Sequence, residues 1–243
     1  MHNILVLGGT TEATALATAL AQSGLRATLS LAGRVARPKA QALPLRVGGF
    51  GGVAGLATYL RDHAITHLVD ATHPFAAQMS AHAVAACGFT GTRLLALTRA
   101  PWVAGPGDNW TQVPDIAAAV TALDRPRETV MLALGRMHLA AFAPQPQHRY
   151  ILRLVDPPEG PLPLPDATVI VDRGPFTLAG DVALMQSHGV QRVVCKNAGG
   201  TGAQAKLEAA RARGLPVVMI GRPVLPARTE VTSVPEVLDW IMG

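Results

Sequence analysis

Short runs of β-branched residues and leucine alternate along this chain with longer stretches whose apolar residues recur at helical spacing. This alternation is typical of a parallel α/β sheet, because a crossover helix brings the chain back to start the next parallel strand. The pattern predicts strands over residues 4–7, 27–31, 65–71, 94–98, 129–134, 150–155, 168–171, 192–195 and 217–220. It predicts helices over residues 12–23, 53–63, 76–87, 177–188, 202–213 and 235–242.

The chain of 243 residues has room for two domains of ordinary size. Proline, glycine and two tryptophans cluster between residues 100 and 115, which indicates a boundary there. Residues 156–165 are rich in proline and predict an extended loop, since proline cannot continue a helix. We expect one α/β domain over residues 1–100 and a second over residues 101–243, facing a common cleft.

Composition excludes several classes of protein. Apolar residues make up 49% of the chain and charged residues 15%, which excludes intrinsic disorder. No apolar run approaches the roughly 18 residues of a membrane span. The first residues lack the basic stretch and cleavage site of a signal peptide. The sequence therefore predicts a cytoplasmic protein that does not enter a membrane.

Cysteine and histidine spacings offer no metal site. Cys87 and Cys195 each lie inside an apolar predicted element, away from any disulfide or metal spacing. Four histidines occur between residues 63 and 82, but their spacings cross helix and strand alike and do not match a zinc motif. We expect no metal.

The chain is basic, with 21 Lys and Arg against 16 Asp and Glu and a formal net charge of +5. The cations are scattered and only three are lysines, which argues against a nucleic-acid-binding stripe. One explanation of this balance is genome composition. The other explanation is a cleft that attracts an anionic small molecule.

The first motif is a glycine turn between the first predicted strand and helix. Gly8 and Gly9 would let a phosphate approach the backbone, and the helix start at Thr10 and Thr11 would supply N–H groups and partial positive charge. The motif departs from G-x-G-x-x-G, because Thr10 and Ala13 replace the second and third glycines. The alternative is an ordinary turn with Thr11 as the N-cap.

The second motif follows the second predicted strand. An NAD enzyme usually has a carboxylate here to bind the ribose hydroxyl, but this chain has Ser30 and, four residues later, Arg34. An arginine can bind a 2′-phosphate through charge-assisted hydrogen bonds, which favours NADP. A solvent-exposed surface arginine is the alternative.

The third motif runs from Asp70 through Ala71, Thr72 and His73 to Pro74 at the end of a predicted central strand. Ligands of open α/β sheets bind at the carboxyl ends of strands, so Ala71 and Thr72 are candidate cofactor contacts. His73 is a candidate donor to an anionic group, although a lone histidine more often caps or packs. Pro74 suits a first helical turn, with Thr72 or His73 near the cap.

Three cations each follow a predicted strand of the second domain: Arg173, Lys196 and Arg222. The carboxyl ends of parallel strands share one sheet edge, so we expect the three to converge on a cleft. Asn197 and Gly200 could add hydrogen-bond donors, as in backbone anion sites. For each residue alone, ordinary loop chemistry is the alternative.

Residues 7–13, 70–76, 172–176 and 196–200 together resemble the precorrin-6A reductase family, in order and over nearly the whole chain. The resemblance implies two Rossmann-like domains, the first binding NADP and the second binding substrate. It implies hydride transfer from NADPH to an anionic tetrapyrrole in cobalamin biosynthesis, with possible hand-over to neighbouring pathway enzymes. No residue is assigned as the proton donor.

Three other functions remain open on these residues. Cobalt-precorrin-6A reductase is the nearest, since the motifs do not distinguish metal-free from cobalt-bearing substrates. A non-catalytic NADP-binding sensor would keep the first glycine turn. A methyltransferase that uses S-adenosylmethionine usually has an acidic residue after the second strand, which this chain lacks.

Overall fold

The computed structural model describes residues 2–33 and 40–243. Its strands are β1 (Asn3–Leu7), β2 (Arg26–Leu31), β3 (Leu45–Val47), β4 (His67–Asp70), β5 (Arg93–Leu97), β6 (Asn109–Val113), β7 (Thr129–Ala133), β8 (Arg149–Leu154), β9 (Ala167–Val171), β10 (Arg192–Lys196), β11 (Pro216–Ile220) and β12 (Glu230–Val231). Its α-helices are α1 (Thr11–Gln22), α2 (Gly52–Asp62), α3 (Ala77–Thr90), α4 (Ile116–Thr121), α5 (Leu178–Ser187), α6 (Ala205–Ala212) and α7 (Val234–Met242). A 3-10 helix, Arg136–Phe142, follows β7.

The chain divides into two compact units. Unit 1 comprises Met1–Ala100 and Val224–Gly243, and unit 2 comprises Pro101–Pro223. Each unit contains one six-stranded sheet whose pairs are all parallel. The predicted α/β class with two parallel-sheet domains is therefore confirmed.

The sheet of unit 1 has the strand order β12-β5-β4-β1-β2-β3. This is a doubly wound arrangement whose switch point lies between β1 and β4. Alternate residues of β1 point to opposite faces, so Ile4 and Val6 pack with α1 and α7 while Leu5 and Leu7 pack with α2 and α3. Helices therefore cover both faces, as a parallel sheet requires.

The sheet of unit 2 has the order β6-β11-β10-β7-β8-β9, which is the same winding around a central β7. One face is covered by α5 and α6, whose Met185 and Leu207 pack against Val193 and Val217. The carboxyl ends of β7 to β11 lie at one edge of this sheet, because all the strands run in the same direction.

The structure agrees with the predicted start of the second domain but not with its predicted end. Its start after Ala100 agrees with the structure, but residues 224–243 belong to unit 1, which corrects the predicted range 101–243. The reason is that β12 pairs with β5 and α7 buries Val237 and Ile241 in the core of unit 1. Conversely β6, which follows β5 in sequence, joins the sheet of unit 2 beside β11.

Several element boundaries also differ from the prediction. Helix α3 continues past Gly88 and ends at Gly91, which has φ +72° and donates its N–H to the carbonyl of Cys87. A glycine in the left-handed region is a common helix terminator, whereas Gly88 adopts ordinary helical geometry. Strands β3, β6 and β12, helix α4 and the 3-10 helix were not predicted.

Within residues 2–33 and 40–243, no three His, Cys, Asp or Glu side chains come together as metal ligands. The two cysteines are free and buried. Burial raises the pKa of the Cys87 thiol to about 12 and that of Cys195 to about 11, so neither supplies a thiolate near neutral pH. In the same described ranges, no helix is long and apolar enough to cross a membrane.

Candidate functional site

The first glycine turn leaves the backbone open at Gly9. The Gly8 N–H donates to the carbonyl of Ser30 at 2.9 Å. A Cβ on Gly8 would lie 2.6 Å from Leu29 Cδ1, so this position admits only glycine without repacking. Gly9 has φ +118°, and no atom lies within 4 Å of where its Cβ would stand. That open backbone beside a helix N-terminus fits a phosphate group.

Thr10, and not Thr11 as in the alternative interpretation of the turn, is the N-cap of α1. Its hydroxyl accepts from the Ala13 N–H at 3.1 Å and donates to the carbonyl of Ala71 at 2.8 Å. The Thr11 hydroxyl instead donates to the Glu12 carboxylate at 3.0 Å. The N–H groups of Thr11 and Glu12 have no acceptor within the helix, since they belong to its first turn.

A carboxylate in that first turn is paired with a cation that sequence reasoning missed. Arg99, which follows β5, lies 2.7 Å from the Glu12 carboxylate, and both side chains are largely buried. The pair lies beside a shallow depression at the carboxyl edge of the sheet, lined by Thr10, Glu12, Thr72, Pro74, Leu97, Thr98 and Arg99. The position of Arg99 just after a strand was the signal in the sequence.

Asp70 organises the loop after β4. Its carboxylate accepts from the Thr72 N–H at 3.1 Å, the Thr72 hydroxyl at 2.7 Å and the Ser80 hydroxyl at 2.6 Å. It also pairs with Arg228, and both side chains of this pair are almost fully buried. Arg228 comes from the C-terminal segment of unit 1, so two distant parts of the chain together position Ala71 and Thr72.

His73 has a defined tautomer in this loop. Its Nδ1 accepts from the Phe75 N–H at 3.2 Å, so the neutral imidazole carries its proton on Nε2. Pro74 does not lie in the first turn of α3, as was predicted, because that helix begins at Ala77 and has Ala76 as its N-cap. His73 therefore stands on a turn before the helix.

The end of β2 contacts an arginine from the edge strand. Arg34 lies outside the described residues. Ser30 is buried, and its hydroxyl accepts from Arg46 Nη1 at 3.2 Å. Arg46 also donates to the carbonyls of Gly48 and Gly49, and its guanidinium stacks 3.7 Å from the ring centre of Phe50. Sequence reasoning missed Arg46 because β3 has only three residues.

In unit 2, the ammonium of Lys196 contacts a histidine that sequence reasoning missed. Lys196 Nζ lies 2.7 Å from His138 Nε2. His138 is in the 3-10 helix that follows β7, and Lys196 is the last residue of the neighbouring strand β10. The sequence pattern alone did not predict an element at residues 136–142.

Arg222 stabilises the loop after β10 through hydrogen bonds to its backbone. Its Nε donates to the carbonyl of Asn197 at 3.0 Å, and its Nη2 donates to the carbonyl of Ala198 at 3.1 Å. The Asn197 amide bonds both to the N–H and to the carbonyl of Trp102, at 2.7 and 2.9 Å. The Gly200 carbonyl accepts from the Trp102 indole at 2.8 Å. Arg222, Asn197 and Gly200 thus hold the backbone next to Lys196.

Arg173 follows β9 and lies 3.5 Å from the carboxylate of Asp156, and the two side chains are 36% and 32% exposed. Nearby, the ring of Phe176 stacks 3.7 Å from the guanidinium of Arg153, which pairs with Asp181 in a buried site. Strands β8 and β7 separate β9 from β10. At the usual strand spacing, the ends of β9 and β10 are about 14 Å apart. Lys196 and Arg222 therefore share one loop, while Arg173 lies farther along the same edge.

The carboxyl edge of unit 2 also exposes large apolar side chains. Met137, Val155, Val171 and Leu178 are between 44% and 63% exposed, and they follow or end β7, β8 and β9. Isolated exposed apolar residues are ordinary, but several at one sheet edge indicate an interaction site. With cations on the same edge, the arrangement fits a ligand that has an apolar body and anionic substituents.

Comparison with known proteins identifies relatives over the full chain. The family model described as precorrin-6x reductase CbiJ/CobK matches residues 3–242. Precorrin-6A reductase of Rhodobacter capsulatus is 58% identical over 241 residues, covering 99% of this chain and 96% of that protein. Precorrin-6A reductase of Rhodococcus erythropolis is 44% identical, with coverage of 99% and 98%.

Cobalt-precorrin-6A reductase of Priestia megaterium is 30% identical, covering 99% of this chain and 98% of that protein. A solved structure described as CobK precorrin-6A reductase superposes with a TM-score of 0.97 at 58% identity, covering 100% of this chain and 96% of that one. The likeness therefore extends to the fold as well as the sequence.

Proposed function

The chain belongs to the precorrin-6x reductase CbiJ/CobK family, and on that premise we propose that it reduces precorrin-6A in cobalamin biosynthesis with NADPH as the hydride donor. The observation that carries the proposal is the full-length match, in sequence and in fold, to precorrin-6A reductases. The metal-free substrate is preferred to the cobalt-bearing one, because the relatives of higher identity are named for precorrin-6A.

Unit 1 would hold the cofactor. The open backbone at Gly9 and the helix start at Thr10 and Thr11 fit the pyrophosphate, with Gly8 keeping the turn close to β2. Thr10 also fixes Ala71, and Asp70 fixes Thr72, so the loop after β4 presents a rigid backbone to the cofactor. Bound NADPH would supply the hydride.

Ser30, Arg34 and Arg46 would form the adenosine end of that site. No described carboxylate side chain extends from β2, which consists of Arg26–Leu31. Arg46 places a guanidinium against Ser30, at the position where a ribose would lie in this winding. Two arginines and no carboxylate support NADPH rather than NADH, because a 2′-phosphate needs cationic donors.

Unit 2 would hold the tetrapyrrole. Lys196 and Arg173 are the side chains proposed to contact its carboxylates, and the exposed apolar residues at the same edge would contact the macrocycle. Asn197, Gly200 and Arg222 would contribute by shaping the loop that carries Lys196. His73, in unit 1, is proposed as a donor to an anionic group through Nε2.

In this mechanism the chain's own residues bind and orient rather than undergo oxidation. Holding two reactants in the right geometry is worth effective molarities of about 10⁵ M or more. The buried pair of Asp70 and Arg228 and the capping bonds of Thr10 serve that purpose, because they restrict the loops around the reacting groups.

The test is a spectroscopic assay of the purified protein with precorrin-6A. On adding NADPH, the tetrapyrrole spectrum should change while an equimolar amount of NADPH is oxidised. NADH should support a much slower reaction at the same concentration. Tight NADPH binding with no oxidation in the presence of precorrin-6A would contradict the reductase and leave a nucleotide-binding sensor.

A further inference from the structure

Lys196 contacts the imidazole of His138 directly, a partner that a lysine does not require in order to bind a carboxylate. The two residues come from adjacent strands, because β7 and β10 pair from Val130–Arg192 to Ala133–Cys195. That register brings the end of β10 beside the 3-10 helix after β7, and the Nζ–Nε2 distance is 2.7 Å. Both side chains are half-buried, so the contact is held by packing rather than made by chance at the surface.

The chemistry of the two groups defines where the protons are. A lysine ammonium has donors and no acceptor, so His138 Nε2 must accept with its lone pair. The imidazole is then neutral and has its proton on Nδ1. A second proton on the pair would place two positive charges 2.7 Å apart, which is strongly unfavourable.

Charged side chains on the neighbouring elements have defined contacts of their own. Arg136 lies on the same 3-10 helix and is 4.0 Å from Glu159 of the loop after β8. Arg222 is tied to the backbone of the loop after β10. Helix α4, which packs against the 3-10 helix, contributes no ionisable side chain between Ile116 and Thr121. The neighbour of His138 on the 3-10 helix, Met137, is 63% exposed.

Reduction of a double bond consumes one hydride and one proton, and the cofactor supplies only the hydride. We propose that His138 donates the proton to the tetrapyrrole, with Lys196 as its proton reserve. This inference rests on the proposed reductase function and deepens it by assigning the general acid.

The step balances as follows in atoms and electrons. The substrate carbon gains the hydride with its two electrons, and the π bond of that carbon breaks toward the adjacent atom. That atom takes the Nδ1 proton of His138 as the Lys196 proton moves to Nε2. The products are the reduced tetrapyrrole, NADP⁺, a neutral lysine and a neutral imidazole, and solvent then returns one proton to the pair.

The decisive variant is His138→Gln, whose side-chain oxygen can still accept from Lys196 but which cannot pass a proton on. General acid catalysis contributes about 10²–10⁴-fold, so kcat should fall by at least about 10²-fold. KM for precorrin-6A and Kd for NADPH should change little, since the cation at Lys196 remains. His188→Gln, the same change at the C-cap of α5, is the matched control and should leave all three constants unchanged.

In Lys196→Ala the pH dependence of kcat should change, which would not happen if Lys196 had only a structural role. Without the lysine, His138 must take its proton from solvent, so kcat should acquire a descending limb near the ordinary histidine pKa of about 6.5. If His138→Gln does not fold, as judged by circular dichroism, this pH profile carries the test alone. A wild-type kcat and pH profile in the folded His138→Gln variant, or no new limb in Lys196→Ala, would overturn the assignment. Inactive wild-type protein would instead contradict the reductase function itself.

Discussion

The hydroxyl of Thr10 donates to the carbonyl of Ala71 at 2.8 Å while it accepts from the Ala13 N–H at 3.1 Å. One side chain thus caps helix α1 and joins the glycine turn after β1 to the loop after β4. These are the two segments on either side of the switch point of the unit 1 sheet, where ligands of doubly wound folds bind.

Replacing that hydroxyl should weaken both the fold and the nucleotide site. Thr10→Val keeps the shape but loses both hydrogen bonds, and losing an N-cap costs about 1 kcal/mol. We expect a lower free energy of unfolding in urea and a higher Kd for NADPH by calorimetry. Thr10→Ser keeps the hydroxyl and should resemble wild type. Gly9 is a poorer position for this test, because φ +118° strains any other residue.

Arg34→Ala should discriminate between the two nicotinamide cofactors. If the guanidinium binds the 2′-phosphate, NADPH binding should weaken by about 1–3 kcal/mol, the range for hydrogen bonds to charged groups. NADH binding should hardly change. Arg46→Ala should weaken both nucleotides if its main role is to hold the loop of Gly48 and Gly49, and NADPH alone if it contacts the phosphate. Equal losses for both nucleotides in Arg34→Ala would exclude it from the phosphate site.

Arg173→Gln should affect the tetrapyrrole and leave the nucleotide unaffected. Loss of one carboxylate contact should raise KM about tenfold, which corresponds to about 1.4 kcal/mol. Added salt should raise the wild-type KM as well, because exposed charges are screened beyond about 10 Å at 0.1 M. Arg149→Gln, at the amino end of β8, is the control for charge alone. Steady-state kinetics that show the same KM and salt dependence in Arg173→Gln as in wild type would remove Arg173 from the site.

Asp70→Asn should destabilise unit 1 strongly. The change removes the buried carboxylate that pairs with Arg228 and leaves only the half-exposed Glu230 as its charged partner, and breaking a buried ion pair costs about 3–5 kcal/mol. Chemical denaturation monitored by circular dichroism measures this loss. The double variant Asp70→Asn with Arg228→Met should lose less, since no buried charge remains and Glu230 is half exposed to solvent. A single variant as stable as wild type would show that the pair does not anchor the C-terminal segment.

The stability of unit 1 should fall below about neutral pH because of His67. Burial first, and then the charges of Arg93 and His2, lower the pKa of His67 below its ordinary 6.5. Between that lowered pKa and 6.5 the unfolded chain binds a proton that the native state does not. The contribution is therefore complete above pH 6.5 and is lost as the pH falls through the folded-state pKa.

Urea unfolding below and above pH 6.5 tests this dependence, with His67→Gln as the comparison. In the folded protein His67 Nε2 accepts from Arg93 at 3.1 Å, a bond that the glutamine oxygen can keep without titrating. The difference in unfolding free energy between the two pH values should shrink in the variant. An unchanged difference would show that another group causes it.

Local patterns were sufficient for most elements and for the sheet edges at which the candidate residues lie. Strand β1 and the glycine turn before α1 were predictable from the sequence. The apolar strand pattern, helix capping and the need for positive φ each depend on only a few adjacent residues. The cations at the ends of β9, β10 and β11 were predictable for the same reason, since a residue that ends or follows a parallel strand lies at the carboxyl edge of its sheet.

Tertiary structure alone decided which sheet each edge strand joins and which side chains meet. Nothing local in Glu230–Val231 or Asn109–Val113 specifies its partner, because strand pairing depends on hydrogen bonds to residues more than 100 positions away. The same holds for Lys196 and His138, which are 58 positions apart and meet only because β10 pairs with β7. Sequence thus determined the elements and the sheet edges at which the candidate residues lie, whereas long-range pairing determined which of those residues are in contact.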